Sequence, residues 1–142
     1  MKISRFLAFL CALGILMATL LGCGKKGDPF LPQKEVSAKV TDLRGEREKG
    51  NILLRGEISA QKEVEGARVY YARYSLENPP CEGCPIEYQG HQSFGAEVVT
   101  EEGFLCTVPI KVPGQVYFFR VNLIGPGGEM GPPSETVKVI VE

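Results

Sequence analysis

Cys81 and Cys84, separated by Glu82 and Gly83 and followed by Pro85, are the residues of this chain best spaced for chemistry. Covalent haem attachment needs a histidine directly after the second cysteine, and Pro85 stands there. A redox pair of the thioredoxin type opens a helix, whose terminus lowers the thiol pKa. Here Pro79 and Pro80 precede the pair and Pro85 follows it, in a polar break within a β-rich chain. The favoured reading is a local disulfide between Cys81 and Cys84, formed in an oxidising compartment. Its loop is too small for a large entropic stabilisation, so it should chiefly fix the shape of the segment that carries it. Zinc is the remaining alternative, with Cys81, Cys84, His91 and Cys106 as a three-cysteine, one-histidine set. Against it, Cys106 alternates with Phe104, Val108 and Ile110, the pattern of a small buried residue. His91 lies in the polar run Gln89-Gly90-His91-Gln92-Ser93, read as a turn. No metal or other cofactor is expected.

Hydrolytic chemistry is hard to assemble from what remains. The chain has 1 His, and its only aspartates are Asp28 and Asp42. No nucleophile elbow, phosphate loop or His-Glu-x-x-His stretch occurs. The acidic pairs Glu46/Glu48 and Glu101/Glu102 fall in expected turns and read as solvated charge, whereas a catalytic acid needs burial or a partner. An enzyme is not expected.

Cys23 has a different chemistry. Lys2 and Arg5 precede an uncharged apolar run from Phe6 to Leu21. The run is short for a spanning helix, which needs about 20 apolar residues, and it reads as an export signal. Leu20-Leu21-Gly22-Cys23 resembles the bacterial lipobox. That motif implies a thioether between the Cys23 thiol and a diacylglycerol, then cleavage after the small residue Gly22. Residues 1–22 are therefore expected to be removed, and Cys11 with them. The cut takes Lys2 and Arg5 and no acid, so the formal net charge moves from -1 to -3. The resemblance implies anchoring to a membrane by lipid. Gly24 in place of an aspartate implies sorting to the outer membrane of a Gram-negative bacterium.

Residues 23–35 are expected to be a lipidated N-terminus followed by a flexible tether, since Gly and Pro discourage regular structure and the lysines keep it solvated. Within it, Cys23-Gly24-Lys25-Lys26-Gly27-Asp28-Pro29-Phe30-Leu31-Pro32 resembles the start of small lipoproteins that assist maturation of the lipopolysaccharide translocon, with Asp28 inserted before the proline. That resemblance implies an alternative function, an accessory to outer-membrane assembly acting through this segment.

The rest of the chain must position the cysteine pair. The full sequence has 17 Gly and 10 Pro, which with frequent Val, Ile, Tyr and Phe favour short strands between turns. The net charge gives no basic surface for nucleic acid. Val36 to Leu43 reads as a first strand and residues 44–50 as a charged turn. Period-two alternation continues in Asn51–Ile58, Ala67–Ser75, Phe104–Lys111, Val116–Ile124 and Glu135–Val141, with weaker candidates at Ile86–Tyr88 and Glu97–Thr100. Pro126-Gly127-Gly128 and Gly131-Pro132-Pro133 mark a loop. About seven short strands at this spacing predict an all-β antiparallel sandwich over residues 36–142.

Pro113-Gly114, Tyr117 to Val121, the Gly-rich loop and Ser134 to Val139 together resemble the end of a fibronectin type III domain. Leu43, Ile52, Leu54, Tyr70 and Tyr74 fit its earlier strands by spacing. The resemblance implies that Tyr117 is a core anchor whose hydroxyl bonds backbone just upstream. It also exposes a departure: the family's core tryptophan falls at Gly56, so Phe104 or a strand tyrosine must fill its volume. Phe118, opposite the Tyr117, Phe119 and Val121 face and near Arg120 and Asn122, is a candidate contact. The expected role is a non-catalytic binding or structural module with a protein partner in the cell envelope.

Overall fold

The computed structural model describes residues 36–59 and 64–142, and Cys23, the export signal and the tether lie outside them. Nine strands are found among the described residues, in two antiparallel sheets. The first sheet has the order β1 (Val40–Glu48), β2 (Asn51–Ile58), β6 (Gly103–Pro109), β5 (Val99–Thr100). In the second, β4 (Gly90–Phe94) pairs β3 (Gly66–Ser75), which pairs β7 (Gln115–Ile124). The other edge of β7 is shared by β8 (Met130–Pro133) and β9 (Val137–Val141). A 3-10 turn, Ala96–Val98, precedes β5.

Alternation built these strands. Ile52 and Leu54 of β2, Phe104 and Cys106 of β6, and Tyr117, Phe119, Val121 and Leu123 of β7 all face inward and are buried. Val139 and Val141 close the core from β9. Fully burying a side chain such as Phe119 contributes about 1.5–3 kcal/mol. Two sheets packed through their apolar faces are therefore the arrangement the sequence pattern demands.

The structure moves several expected boundaries. Residues 44–48 are not a turn but the second half of β1, paired with Asn51 to Arg55. The turn itself is Lys49-Gly50, both at positive φ (44° and 86°), which is the two-residue type I′ geometry that matches strand twist. Charge hid this half-strand: Gly45, on an inward-facing position between Leu54 and Val139, offers no apolar signal. Val36 and Ala38 are buried, but the strand expected from Val36 begins its ladder pairing only at Val40. The expected strand at Ile86–Tyr88 is absent, and the fourth strand lies at Gly90–Phe94 instead. His91 is thus in an edge strand, not a turn. Both faces of β4 carry polar groups, which leaves no alternation to read. The expected strand at Glu97–Thr100 is divided between the 3-10 turn and β5. Gly131-Pro132-Pro133 belongs to β8, an edge position that tolerates proline.

Ser134 explains why the last edge is split. It is buried, its backbone N–H donates to the Val121 carbonyl at 2.8 Å, and its Oγ accepts from the Val121 N–H at 2.9 Å. One residue therefore completes the pairing of β7 while the chain passes from β8 to β9.

Candidate functional site

Positions 116, 118, 120 and 122 of β7 face away from the core, and so do Tyr70, Ala72 and Tyr74 of β3. An outer sheet face is ordinarily wet. Here Ala72 and Val116 are 0% and 1% exposed. The cover comes from the segment between β3 and β4, residues 76–89, which folds back over the sheet. Its fastenings are local. The Gln89 side chain donates to the Arg73 carbonyl at 2.9 Å and accepts from the Arg73 N–H at 3.4 Å, while the Gln89 N–H donates to Tyr71 O at 2.9 Å. The Tyr74 hydroxyl donates to the Glu87 carbonyl at 3.4 Å.

Cys81 and Cys84 are joined by a disulfide in the middle of this segment, with Cα atoms 5.3 Å apart. The Cys84 N–H donates to the Cys81 carbonyl at 3.1 Å, so the cystine closes a tight turn. His91 and Cys106 are not brought to it. His91 packs beside Tyr70 at 5.6 Å on the second sheet, whereas Cys106 is buried in the core from the first. The Cys106 thiol is pushed up to about 12, by burial first and by the nearby Glu97 charge second. It is protonated at neutral pH, which leaves it without the thiolate that nucleophilic or metal chemistry needs.

Between the cystine turn and the sheet lies a cleft of about 730 Å3. Phe118 and Arg120 of β7, Ile86 and Tyr88 of the covering segment, and Thr136 and Lys138 around the start of β9 line it. Phe118, the candidate contact, is half-buried and meets Tyr74 edge-on at 5.8 Å. The Arg120 guanidinium lies 4.5 Å from the Tyr88 ring and 5.5 Å from the Tyr70 ring, within cation–π range of both. The Tyr88 and Thr136 hydroxyls share a hydrogen bond of 2.8 Å, which ties the covering segment to the approach of β9. Arg120 and Phe118 were visible in the sequence as the outward positions of β7. Tyr88, Thr136 and Lys138 were not, because three separate segments bring them together.

The outer face of the first sheet differs. Its depression, about 400 Å3, carries Asp42, Arg44, Glu46, Arg55 and Glu57 in alternating sign, and Asp42 and Arg44 already pair at 2.6 Å. Glu102 lines it as well, and exposed charges of mixed sign read as a solvated face.

No family model and no curated protein matches the chain. Solved structures do. The third fibronectin type III domain of human KIAA0343 protein superposes with a TM-score of 0.55 at 16% identity, over 83% of this chain and 93% of that domain. The fold is fibronectin type III-like. A myokine structure matches with a TM-score of 0.52 at 12% identity, over 75% of this chain and 98% of its own. The fold alone does not give a role, so function must be argued from the site it carries.

Proposed function

We propose that this chain is a lipid-anchored, non-catalytic binding module of the bacterial cell envelope. It is exported, cut before Cys23 and held at the outer membrane by acyl chains on that residue. Each buried methylene adds about 0.8 kcal/mol, so two or three chains give stable attachment. The fibronectin type III-like domain then presents the outer face of its second sheet to a protein partner. The observation that supports binding is the cleft under the cystine turn, where aromatic and cationic side chains converge without a nucleophile, acid or base set for catalysis. Support for the anchor is the export signal ending in Leu20-Leu21-Gly22-Cys23. The similarity of Cys23 to Pro32 to the start of lipopolysaccharide-translocon accessory lipoproteins favours a second reading, in which the tether rather than the domain acts. Deleting residues 24–35 while retaining Cys23 separates the two.

Replacing Cys23 with Ser tests the anchor. Labelled fatty acid should enter the parent protein and not the variant, because serine lacks the thiol that forms the thioether. A variant that still takes up label would overturn the assignment.

A further inference from the structure

The proposed binding role leaves the chemistry of the partner open, and the cleft narrows it. The Arg120 side chain makes no hydrogen bond or ion pair with any described residue, and its Nε is buried without a partner. Lys138, across the ladder from Phe118, is likewise unpaired among the described residues. A buried donor on a charged group is costly to leave unmade. The rings of Tyr70 and Tyr88 both lie within cation–π range of the guanidinium, and an aromatic face does not replace the directional hydrogen bonds its N–H groups can make to a carboxylate. The one acid on the lining, Glu82, is exposed on the cystine turn. Two cations against one acid leave a single uncompensated positive charge, the complement of a monoanion. Beside it, Phe118, Ile86, Pro80 and Pro85 provide apolar wall.

We infer that the cleft takes a peptide segment bearing one carboxylate next to an apolar side chain, with the carboxylate on Arg120 and Lys138 and the apolar group against Phe118 and Ile86. This inference rests on the reading of the outer face as a binding surface. Guanidinium–carboxylate pairing is the geometry for which arginine is suited over lysine. The carboxylate belongs either to a chain terminus or to an Asp or Glu side chain. The cleft has the size of sites that enclose small ligands.

The test uses the full chain purified in detergent and three short probes observed by NMR. They are an N-acetylated phenylalanine dipeptide with a free terminal carboxylate, the same dipeptide as its amide, and N-acetylated aspartyl-phenylalanine amide. At least one carboxylate probe should bind about tenfold more tightly than the neutral amide, with shifts at Phe118 and the Arg120 side chain. Which of the two binds identifies the source of the carboxylate. Lys138→Gln, at an exposed position that leaves the fold intact, should weaken that probe and leave the amide unchanged. Arg120→Gln should abolish the preference. If the amide binds the cleft as well as the acids, the face binds but the carboxylate assignment is wrong. If no probe shifts cleft signals at tens of millimolar, both the assignment and the outer-face reading fail.

Discussion

Truncating Tyr117 to alanine should cost the domain about 3–5 kcal/mol, the range for removing a large buried aromatic group. Tyr117 is 5% exposed and stacks on Phe119, with ring centroids 6.0 Å apart and planes 7° from parallel. Its hydroxyl donates to the Val112 carbonyl at 2.8 Å and accepts from the Val112 N–H at 3.1 Å. The tyrosine thus pins the Pro113-Gly114 turn to the strand it feeds, as in the tyrosine corners of related sandwiches. Tyr117→Phe keeps the ring and loses both bonds, so it should cost only on the order of 1–2 kcal/mol. Total stability of a small domain is about 5–15 kcal/mol, so the alanine variant sits near the unfolding threshold. Urea titration of residues 36–142, which hold every residue of the described core, measures both variants. An alanine variant as stable as its parent would show that the β7 register does not carry the core.

Placing a tryptophan at position 56 should destabilise the domain severely. Gly56 pairs with Phe104, which is 2% exposed. A Cβ at Gly56 would stand 2.5 Å from Val40 Cγ1 and 3.0 Å from the Thr41 carbonyl oxygen. The bulge of β1 between Thr41 and Arg44, with Asp42 at φ 51°, brings that backbone in. The volume anticipated for Phe104 or a tyrosine is thus shared: Phe104 faces the position and Val40 closes it. Overpacking a filled core costs about 1–3 kcal/mol even for small additions. Gly56→Ala should fall in that range, and Gly56→Trp should exceed it and leave little folded protein at 37 °C. Removing methyl groups at Val40 should rescue part of the alanine cost, a coupling of about 1 kcal/mol or more in a double-mutant cycle. Strict additivity of Val40→Ala and Gly56→Ala, or a stable Gly56→Trp variant, would contradict this packing.

Both predictions rest on features that were unequally legible in the sequence. Tyr117 announced itself, because it follows a Pro-Gly turn and shares a parity with Phe119, Val121 and Leu123. Alternation of apolar residues is a local signal, and it located β2, β3, β6 and β7. Val40 against Gly56 was not legible, since it depends on a bulge in a strand whose second half is charged. The cleft was half legible. The parity of Phe118 and Arg120 set them on the outer face, and the spacing of Cys81 and Cys84 suggested a shaped loop. The loop's return over Ala72 and Val116 gave no sequence signal, because its fastenings are single side chains such as Gln89 and Tyr88. A polar edge strand such as β4 also leaves no periodicity, which is why His91 was expected in a turn.

The central claim is that the anchored domain engages an envelope partner through the outer face of its second sheet. A photoreactive residue placed in turn at Ile140 and at Leu105, each in protein carrying native Cys23, tests it in intact membranes. Ile140 is 53% exposed on the outer face beside Lys138, and Leu105 is 39% exposed on the other sheet. The account predicts a discrete cross-linked product from position 140, absent from position 105 and lost when Arg120→Gln is combined with the probe. Equal products from both positions, or a product at 105 alone, would contradict it.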